Sequence, residues 1–129
     1  MDYENNRATV LLVEDTEDNR QMMRRLLEMS GFRVFEAING KDAVKAAMEV
    51  RPEIILMDLS LPVIDGLAAT RQIRNLPELN DVPIVAVSAH DTVDFHNDAL
   101  EAGCNAYVTK PIDYPELEDL VKCLIAKGY

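Results

Sequence analysis

The stretch IILMD at residues 54–58 decides the fold, because four consecutive apolar residues lead directly into one carboxylate. Two further runs, at residues 10–13 and 84–87, have the same uninterrupted apolar character. None of the three alternates apolar with polar residues, which is typical of strands that helices cover on both faces of a parallel sheet. Weaker runs at residues 33–35 and 106–108 bring the number of predicted strands to five.

Segments with helical spacing separate these strands. In the last segment the apolar residues follow the i, i+3, i+4, i+7, i+8 pattern of one helix face: Leu117, Leu120, Val121, Leu124 and Ile125. The first helix is predicted to bury Met22, Met23, Leu26 and Leu27. Strands that alternate with helices pair in parallel through right-handed crossovers. The sequence therefore predicts a doubly wound α/β domain with a five-stranded parallel sheet.

Residues with special backbone roles stand at the predicted helix ends. Asn39 precedes the second helix as a predicted N-cap, and Asp113 stands three residues before Glu116 at the start of the fifth. Gly31 and Gly103 stand where a helix C-terminus needs a left-handed residue. The proline-containing segment 75–83 is predicted to be a loop before the fourth strand.

Composition limits the class of protein. The chain has 129 residues, with 23 acidic and 13 basic side chains and a formal net charge of -10. This charge disfavours nucleic acids and anionic lipids, which attract basic surfaces. The sequence shows no signal peptide, no transmembrane run and no cysteine motif around Cys104 or Cys123, so we expect a cytoplasmic protein with no membrane contact. Nothing in it suggests a large apolar interface, and we expect a monomer.

The polar residues at the strand ends suggest where the chemistry lies. Glu14 and Asp15 follow the first strand, Asp58 the third, Ser88 the fourth and Lys110 the fifth. Each could by itself be a helix cap or part of a solvated turn. The carboxyl ends of parallel strands share one edge of the sheet, however, so these residues are expected to converge there. Clustered carboxylates repel one another unless a cation intervenes, and Mg²⁺ prefers such oxygen ligands. The carboxylates, a bound Mg²⁺, Ser88 and Lys110 together suit phosphoryl transfer to an aspartate.

Several short motifs occur in order at these strand ends: LLVED at 11–15, MDLSLP at 57–62, DG at 65–66, VSAH at 87–90 and KP at 110–111. With them the chain resembles bacterial response-regulator receiver domains over about residues 9–126. We expect that range to be the receiver domain, with residues 1–8 as an N-terminal extension and 127–129 as a tail. The resemblance implies the flavodoxin-like (βα)5 fold with strand order 2-1-3-4-5.

The resemblance also implies residue roles. Asp58 would be the phosphoacceptor, and Mg²⁺ would be held by Glu14, Asp15, Asp58 and the backbone carbonyl of Ser60. Lys110 and Ser88 would contact the phosphoryl group, and the Lys110–Pro111 peptide would be cis. Ser88 and Tyr107 would form the switch, although Tyr107 could equally be a half-exposed strand aromatic. Ser60 and His90 would tune the phosphoryl lifetime, unless His90 simply faces solvent.

The implied function is that of a single-domain response regulator in two-component phosphorelay signalling. A sensor histidine kinase or histidine phosphotransfer protein would supply the phosphoryl group. A downstream protein would read the face formed by the fourth helix, fifth strand and fifth helix. The alternative is a phosphorelay intermediate that passes the group to a histidine. In either role the chain would be no enzyme beyond its own phosphorylation and dephosphorylation. Candidate residues for donor docking on the first helix are Asp18, Asn19, Arg20 and Arg24, although each could by itself be part of a solvated helix face.

The sequence disfavours three other functions. An aspartyl-nucleophile phosphatase usually needs a second acid two residues after the nucleophile, where this chain has Ser60. A flavin-binding module needs a phosphate-cradling loop after the first strand, but residues 14–18 read EDTED and would repel phosphate. A receiver-like module that is not phosphorylated is disfavoured because none of the four expected residues is missing: Asp15, Asp58, Ser88 and Lys110.

Overall fold

The computed structural model describes residues 7–61 and 63–127. Residues 1–6 of the expected extension, Pro62 of the MDLSLP motif and residues 128–129 of the expected tail lie outside the described residues. The strands are β1 (Thr9–Val13), β2 (Arg33–Ala37), β3 (Ile54–Asp58), β4 (Ile84–Ser88) and β5 (Ala106–Thr109). The α-helices are α1 (Glu17–Met29), α2 (Gly40–Val50), α3 (Gly66–Arg74), α4 (Val93–Ala102) and α5 (Tyr114–Lys127).

The five strands form one parallel sheet in the order β2-β1-β3-β4-β5. This confirms the predicted doubly wound fold and its strand order. The β1, β3 and β4 strands are buried almost throughout, as their uninterrupted apolar runs predict. Chain order reverses beside β1, because β1 pairs with β2 on one side and with β3 on the other. The carboxyl ends of β1 and β3 therefore flank a switch point, where doubly wound folds place their ligands.

Two apolar cores sandwich the sheet. On one face Met23 and Leu27 of α1 pack with Leu117 and Val121 of α5. On the other face the buried side chains come from α2, α3 and α4: Ala43, Ala47, Ala69, Ile73 and Ala99. The small residues on this second face let the three helices approach the sheet closely. The helices thus cover both faces of the sheet, and the loops lie at the two ends of the strands.

The helix ends follow the predicted local chemistry. Asn39 caps α2, its Oδ1 accepting from the backbone N–H of Asp42 at 2.8 Å. Asp113 plays the same part for α5, accepting from the N–H of Glu116 at 3.2 Å. Gly103 ends α4 with φ of 118°, a conformation that strains other residues.

Some sequence expectations need correction. Met22 was predicted to be in the core but is 56% exposed, because it lies at the rim of the α1 apolar stripe. Arg20 and Arg24, proposed as exposed docking residues, are only partly exposed because both contact Glu36 of β2. The predicted loop at 75–83 contains a single 3₁₀ turn at Pro77–Leu79, which buries Leu79.

Arg74 ties together the end of the molecule opposite the carboxyl ends of the strands. Its Nε donates to the carbonyl of Gly103 at 2.9 Å, and Nη2 donates to Oδ1 of Asn105 at 2.8 Å. Its Nη1 donates to the carbonyl of Leu79 at 3.1 Å. Burial lowers the pKa of Arg74, although Cys104 and Asp81 counteract this. One guanidinium thus joins α3 to the segments that lead into β4 and β5.

None of the helices among the described residues is both long and apolar enough to cross a membrane.

Candidate functional site

The sheet places two polar residues inside its carboxyl edge. Asp58 is the last residue of β3 and is 4% exposed, and Ser88 is the last residue of β4 and is 1% exposed. Sequence reasoning put both just beyond the strands. They belong to the strands because Asp58 lies opposite Val87 and Ser88 opposite Thr109 in the parallel ladder. Pairing at this point fixes the backbone that carries both side chains.

Three carboxylates meet at this edge. One oxygen from each of Glu14, Asp15 and Asp58 lies within 4.8 Å of the others. Glu14 is 6% exposed and Asp15 is exposed, so the cluster opens to solvent on the Asp15 side. Hard divalent cations take such oxygen ligands and retain several waters, which an open side allows. The donor set therefore fits Mg²⁺.

Lys110 projects into the same cluster from the end of β5. Its Nζ lies 3.1 Å from Oδ2 of Asp58 and 3.4 Å from Oε1 of Glu14. Burial lowers the pKa of Lys110, but attraction to Asp58 and Glu14 outweighs it, so the pKa lies above its ordinary value. The ammonium therefore stays charged at neutral pH and offsets part of the carboxylate repulsion.

Glu14 is held in an unfavourable environment. Burial raises the pKa of Glu14, and repulsion from Asp58 adds to the effect. The backbone N–H of Thr16 donates to Oε2 of Glu14 at 3.0 Å, which together with Lys110 partly offsets this. A bound cation would attract this carboxylate and so offset both the repulsion from Asp58 and the energetic cost of burying the charge. The environment of Glu14 is therefore typical of a cation-binding pocket.

The β3–α3 loop is fixed by close backbone packing. The backbone N–H of Ser60 donates to Oδ1 of Asp58 at 2.9 Å and so orients that carboxylate. A Cβ on Gly66 would overlap the carbonyl oxygen of Asp58, and one on Gly40 would overlap that of Ile64. The N-termini of α2 and α3 thereby reach the loop next to Asp58, which larger residues would prevent.

A hydrogen-bonded path leads from Ser88 to Tyr107. The backbone N–H of His90 donates to Oγ of Ser88 at 3.1 Å. The carbonyl of His90 accepts from the Tyr107 hydroxyl at 2.6 Å. A movement of the Ser88 hydroxyl would therefore change the loop backbone that holds Tyr107.

Sequence reasoning missed part of this path. The ring of His96 stacks on Tyr107 at a centroid distance of 3.9 Å, and its Nε2 lies 2.9 Å from Oδ1 of Asp91. No motif in the sequence assigns His96 a role in this path. The spacing of Asp91 and His96 across the start of α4 could have suggested that these two side chains pair. It does not predict that His96 contacts β5.

The structure does not bring every predicted site residue to the cluster by its side chain. Ser60 contributes its backbone N–H, while its side chain is exposed. The ring of His90 stacks on Phe95 at 4.2 Å instead of contacting Asp58. The Lys110–Pro111 peptide bond is cis.

Comparison with known proteins identifies the family. Residues 10–122 match the family model described as the response regulator receiver domain. The polar-differentiation response regulator DivK of Brucella anthropi is 37% identical over 114 residues, which cover 88% of this chain and 93% of DivK. The transcriptional regulatory protein PrrA of Mycobacterium leprae is 39% identical over 118 residues, which are 92% of this chain but only 50% of PrrA.

A solved structure agrees with these relatives. The receiver domain of the sensor histidine kinase PA1611 from Pseudomonas aeruginosa has a TM-score of 0.87 and 37% identity, covering 93% of this chain and 98% of that one. Its crystal structure holds a magnesium ion in the active-site cleft. The chain belongs to the response regulator receiver domain family. It is thus a receiver of two-component signalling, which implies histidine kinases or phosphotransfer proteins as partners.

Proposed function

We propose that the protein accepts a phosphoryl group on Asp58 in a Mg²⁺-dependent reaction and signals through phosphorylation-dependent protein contacts. One observation carries this proposal: the buried Asp58 carboxylate lies within 4.8 Å of the Glu14 and Asp15 carboxylates and 3.1 Å from an ammonium group. A nucleophile, an oxygen-ligand set and a cationic donor then occupy one cleft. These are the parts that phosphoryl transfer requires.

The transfer step follows from these groups. An Asp58 oxygen forms a bond to phosphorus while the bond from phosphorus to a histidine nitrogen of the donor breaks, and that nitrogen keeps the electron pair. Mg²⁺, held by Glu14, Asp15, Asp58 and the Ser60 carbonyl, would supply positive charge to the phosphoryl oxygens. Lys110 is already aimed at the Asp58 carboxylate and stabilises the added negative charge.

The same geometry supports a switch. Phosphorylation adds oxygens beside Ser88, and its hydroxyl turns from the His90 N–H to donate to the phosphoryl group. The backbone at His90, whose carbonyl accepts a hydrogen bond from Tyr107, then loses its hydrogen bond to Ser88. Tyr107 and the surface around it therefore take a second arrangement. A nearly complete change of population requires about 5.5 kcal/mol of differential stabilisation. The altered surface is the face of α4, β5 and α5, which a downstream protein reads.

The cellular setting belongs to the same proposal. The protein acts as a cytoplasmic monomer, catalyses no reaction beyond its own phosphorylation and dephosphorylation, and does not contact nucleic acid directly. Its acidic charge supports the last point. The match spans 93% of DivK, which is itself named a response regulator, so that relative has little chain for a separate output domain, and this supports protein contact as the output.

A second function has specific support. The receiver of PA1611 is part of a sensor histidine kinase, and this chain is 37% identical to it. A receiver of that kind could pass its phosphoryl group to another protein's histidine. The chain would then be a phosphorelay intermediate.

Incubation with Mg²⁺ and acetyl phosphate tests the proposed function directly. We expect intact mass spectrometry to show one phosphoryl adduct on the wild type and none on Asp58→Asn. Asp65→Asn is the matched control, because Asp65 caps α3 outside the carboxylate cluster and should leave the adduct unchanged. An undiminished adduct in Asp58→Asn would contradict the assignment of the phosphoacceptor.

Partner binding and phosphoryl transfer by the phosphorylated protein distinguish a response regulator from a relay intermediate. A response regulator recovers a partner in its phosphorylated form but not as Asp58→Asn. A relay intermediate instead loses its phosphoryl group rapidly to a histidine phosphotransfer protein, which becomes labelled. Equal recovery of every partner by both forms, with no transfer, would overturn the switch.

A further inference from the structure

We propose that Arg20 is a positioning residue that holds the turn carrying Glu14 and Asp15 in its Mg²⁺-binding geometry, and that Glu36 holds Arg20. This inference rests on the proposed function, because it concerns the same cleft. It assigns a role to two residues outside the carboxylate cluster.

The contacts of Arg20 are directed at the backbone of the acidic turn. Its Nη1 donates to the carbonyl of Glu14 at 3.0 Å and to that of Asp15 at 3.5 Å. The side chain is only 15% exposed, although it lies on the first turns of a surface helix. One donor group thus contacts both residues that contribute carboxylates from this turn.

Glu36 fixes the other side of the guanidinium. Its Oε1 lies 3.8 Å from Nε of Arg20, and its Oε2 lies 3.4 Å from Nη1 of Arg24. Glu36 belongs to β2, so the pair ties the start of α1 to the edge strand of the sheet. Arg24 also pairs with Glu28 at 3.3 Å.

Charge and geometry predict opposite effects of removing Arg20. A cation beside the cluster repels Mg²⁺, so its removal would tighten Mg²⁺ binding if charge alone mattered. If Arg20 positions the turn, its removal loosens two ligand residues and weakens binding, as loss of supporting hydrogen bonds does at other metal sites. The sign of the change therefore distinguishes a positioning role from a purely electrostatic one.

The test is calorimetric titration of the phosphate-free protein with MgCl₂. We expect Arg20→Met to raise the dissociation constant about 10-fold. Arg20→Lys keeps the charge but loses the planar guanidinium, and we expect it to raise the dissociation constant by about 3-fold, less than Arg20→Met, because an ammonium can still donate to one of the two carbonyls. Glu36→Gln should weaken binding as well, since it releases Arg20 and removes a negative charge. Arg25→Met is the matched control, because it removes the same charge from the exposed face of α1 outside the Arg20–Glu36 pair, and it should stay within about twofold.

A second readout separates positioning from loss of fold. Thermal unfolding in EDTA should show that each variant remains folded. With acetyl phosphate as donor, the phosphorylation rate of Arg20→Met should require more Mg²⁺ but reach the wild-type maximum at saturation. Unchanged or tighter Mg²⁺ binding in Arg20→Met and Arg20→Lys would overturn the inference. If Arg20→Met is unfolded, Arg20→Lys decides alone.

Failure of the proposed function gives a different pattern. A wild type that binds no Mg²⁺ and forms no adduct contradicts the function itself. A wild type that does both, with Arg20 variants that match it, contradicts only the role of Arg20.

Discussion

At the scale of one residue, Glu14 lowers the stability of the folded protein in order to bind a cation. Its carboxylate is buried beside Asp58, and burial raises its pKa. A glutamate with a raised pKa in the folded state favours folding at low pH. That advantage is lost as the pH rises through the ordinary value of 4.5 toward the folded value. At neutral pH the ionised Glu14 therefore destabilises the cation-free protein.

Replacement of the Glu14 charge should raise the stability of the cation-free protein and weaken cation binding. We expect Glu14→Gln to stabilise the protein in EDTA by about 1 kcal/mol, a gain common when a functional residue is relieved of strain. Thermal unfolding at pH 7 measures the change. Addition of MgCl₂ should stabilise the wild type more than the variant, because the variant has lost a ligand.

Glu17→Gln is the control for the general loss of negative charge, since Glu17 lies exposed at the start of α1 and outside the cluster. A Glu14→Gln protein that is less stable than Glu17→Gln in EDTA would contradict this account.

At the scale of elements, two helix N-termini meet the loop that carries Ser60. The absence of a side chain at Gly40 lets α2 contact the backbone of Ile64. The absence of one at Gly66 lets α3 begin beside Asp58. Helix packing, and not loop sequence alone, therefore sets the shape of the cleft.

Gly40→Ala tests this packing. Alanine is the better helix former by up to about 1 kcal/mol, but overlap of its Cβ with the Ile64 carbonyl costs more. We expect a net loss of about 1–2 kcal/mol in the free energy of unfolding, measured by urea denaturation.

Lys41→Ala is the matched control at the next, exposed position of α2. It should change the free energy of unfolding by less than about 0.5 kcal/mol. A Gly40→Ala protein at least as stable as this control would show that the loop adapts freely to α2.

At the scale of the whole molecule, the two cysteine thiols differ in their exposure to solvent. Cys104 is buried against Thr70, with Sγ 3.9 Å from Oγ1, and burial raises the pKa of this thiol. Cys123 is exposed on α5. At pH 8 Cys104 has less thiolate and no access to reagent, so only Cys123 should react rapidly with a disulfide reagent.

A spectrophotometric thiol assay measures this difference. We expect one fast-reacting thiol in the native wild type, none in native Cys123→Ser, and one in Cys123→Ser after unfolding in urea. Rapid reaction of native Cys123→Ser would mean that the start of β5 opens far more readily than its packing indicates.

The sequence predicts the architecture well because buried strands leave a local signal. The apolar runs of β1, β3 and β4 are uninterrupted, and their ends place Asp15, Asp58 and Ser88 at one edge. Local periodicity is less informative at the boundary of a stripe, which is why Met22 was wrongly predicted to be buried. The edge of a helical face depends on how the helix lies on the sheet, and the sequence does not specify this.

Contacts between elements distant in the chain leave no such signal. The Arg20–Glu36 pair and the stacking of His96 on Tyr107 join different elements through side chains that would also suit a solvated surface. Neither pair follows from spacing, since its geometry exists only after the sheet has formed. These contacts surround the predicted cluster, so the sequence indicates its principal residues but not their supporting partners.

The network of Arg74 has a consequence for how the protein can change over generations. It fastens the base of the sheet, whereas the chemistry lies at the other end and shares no residue with it. Substitutions in well-separated regions have nearly additive effects on stability. Mutations around the cleft can therefore accumulate without weakening the contacts of Arg74 at the base. The two ends of the sheet can in this sense change independently of each other.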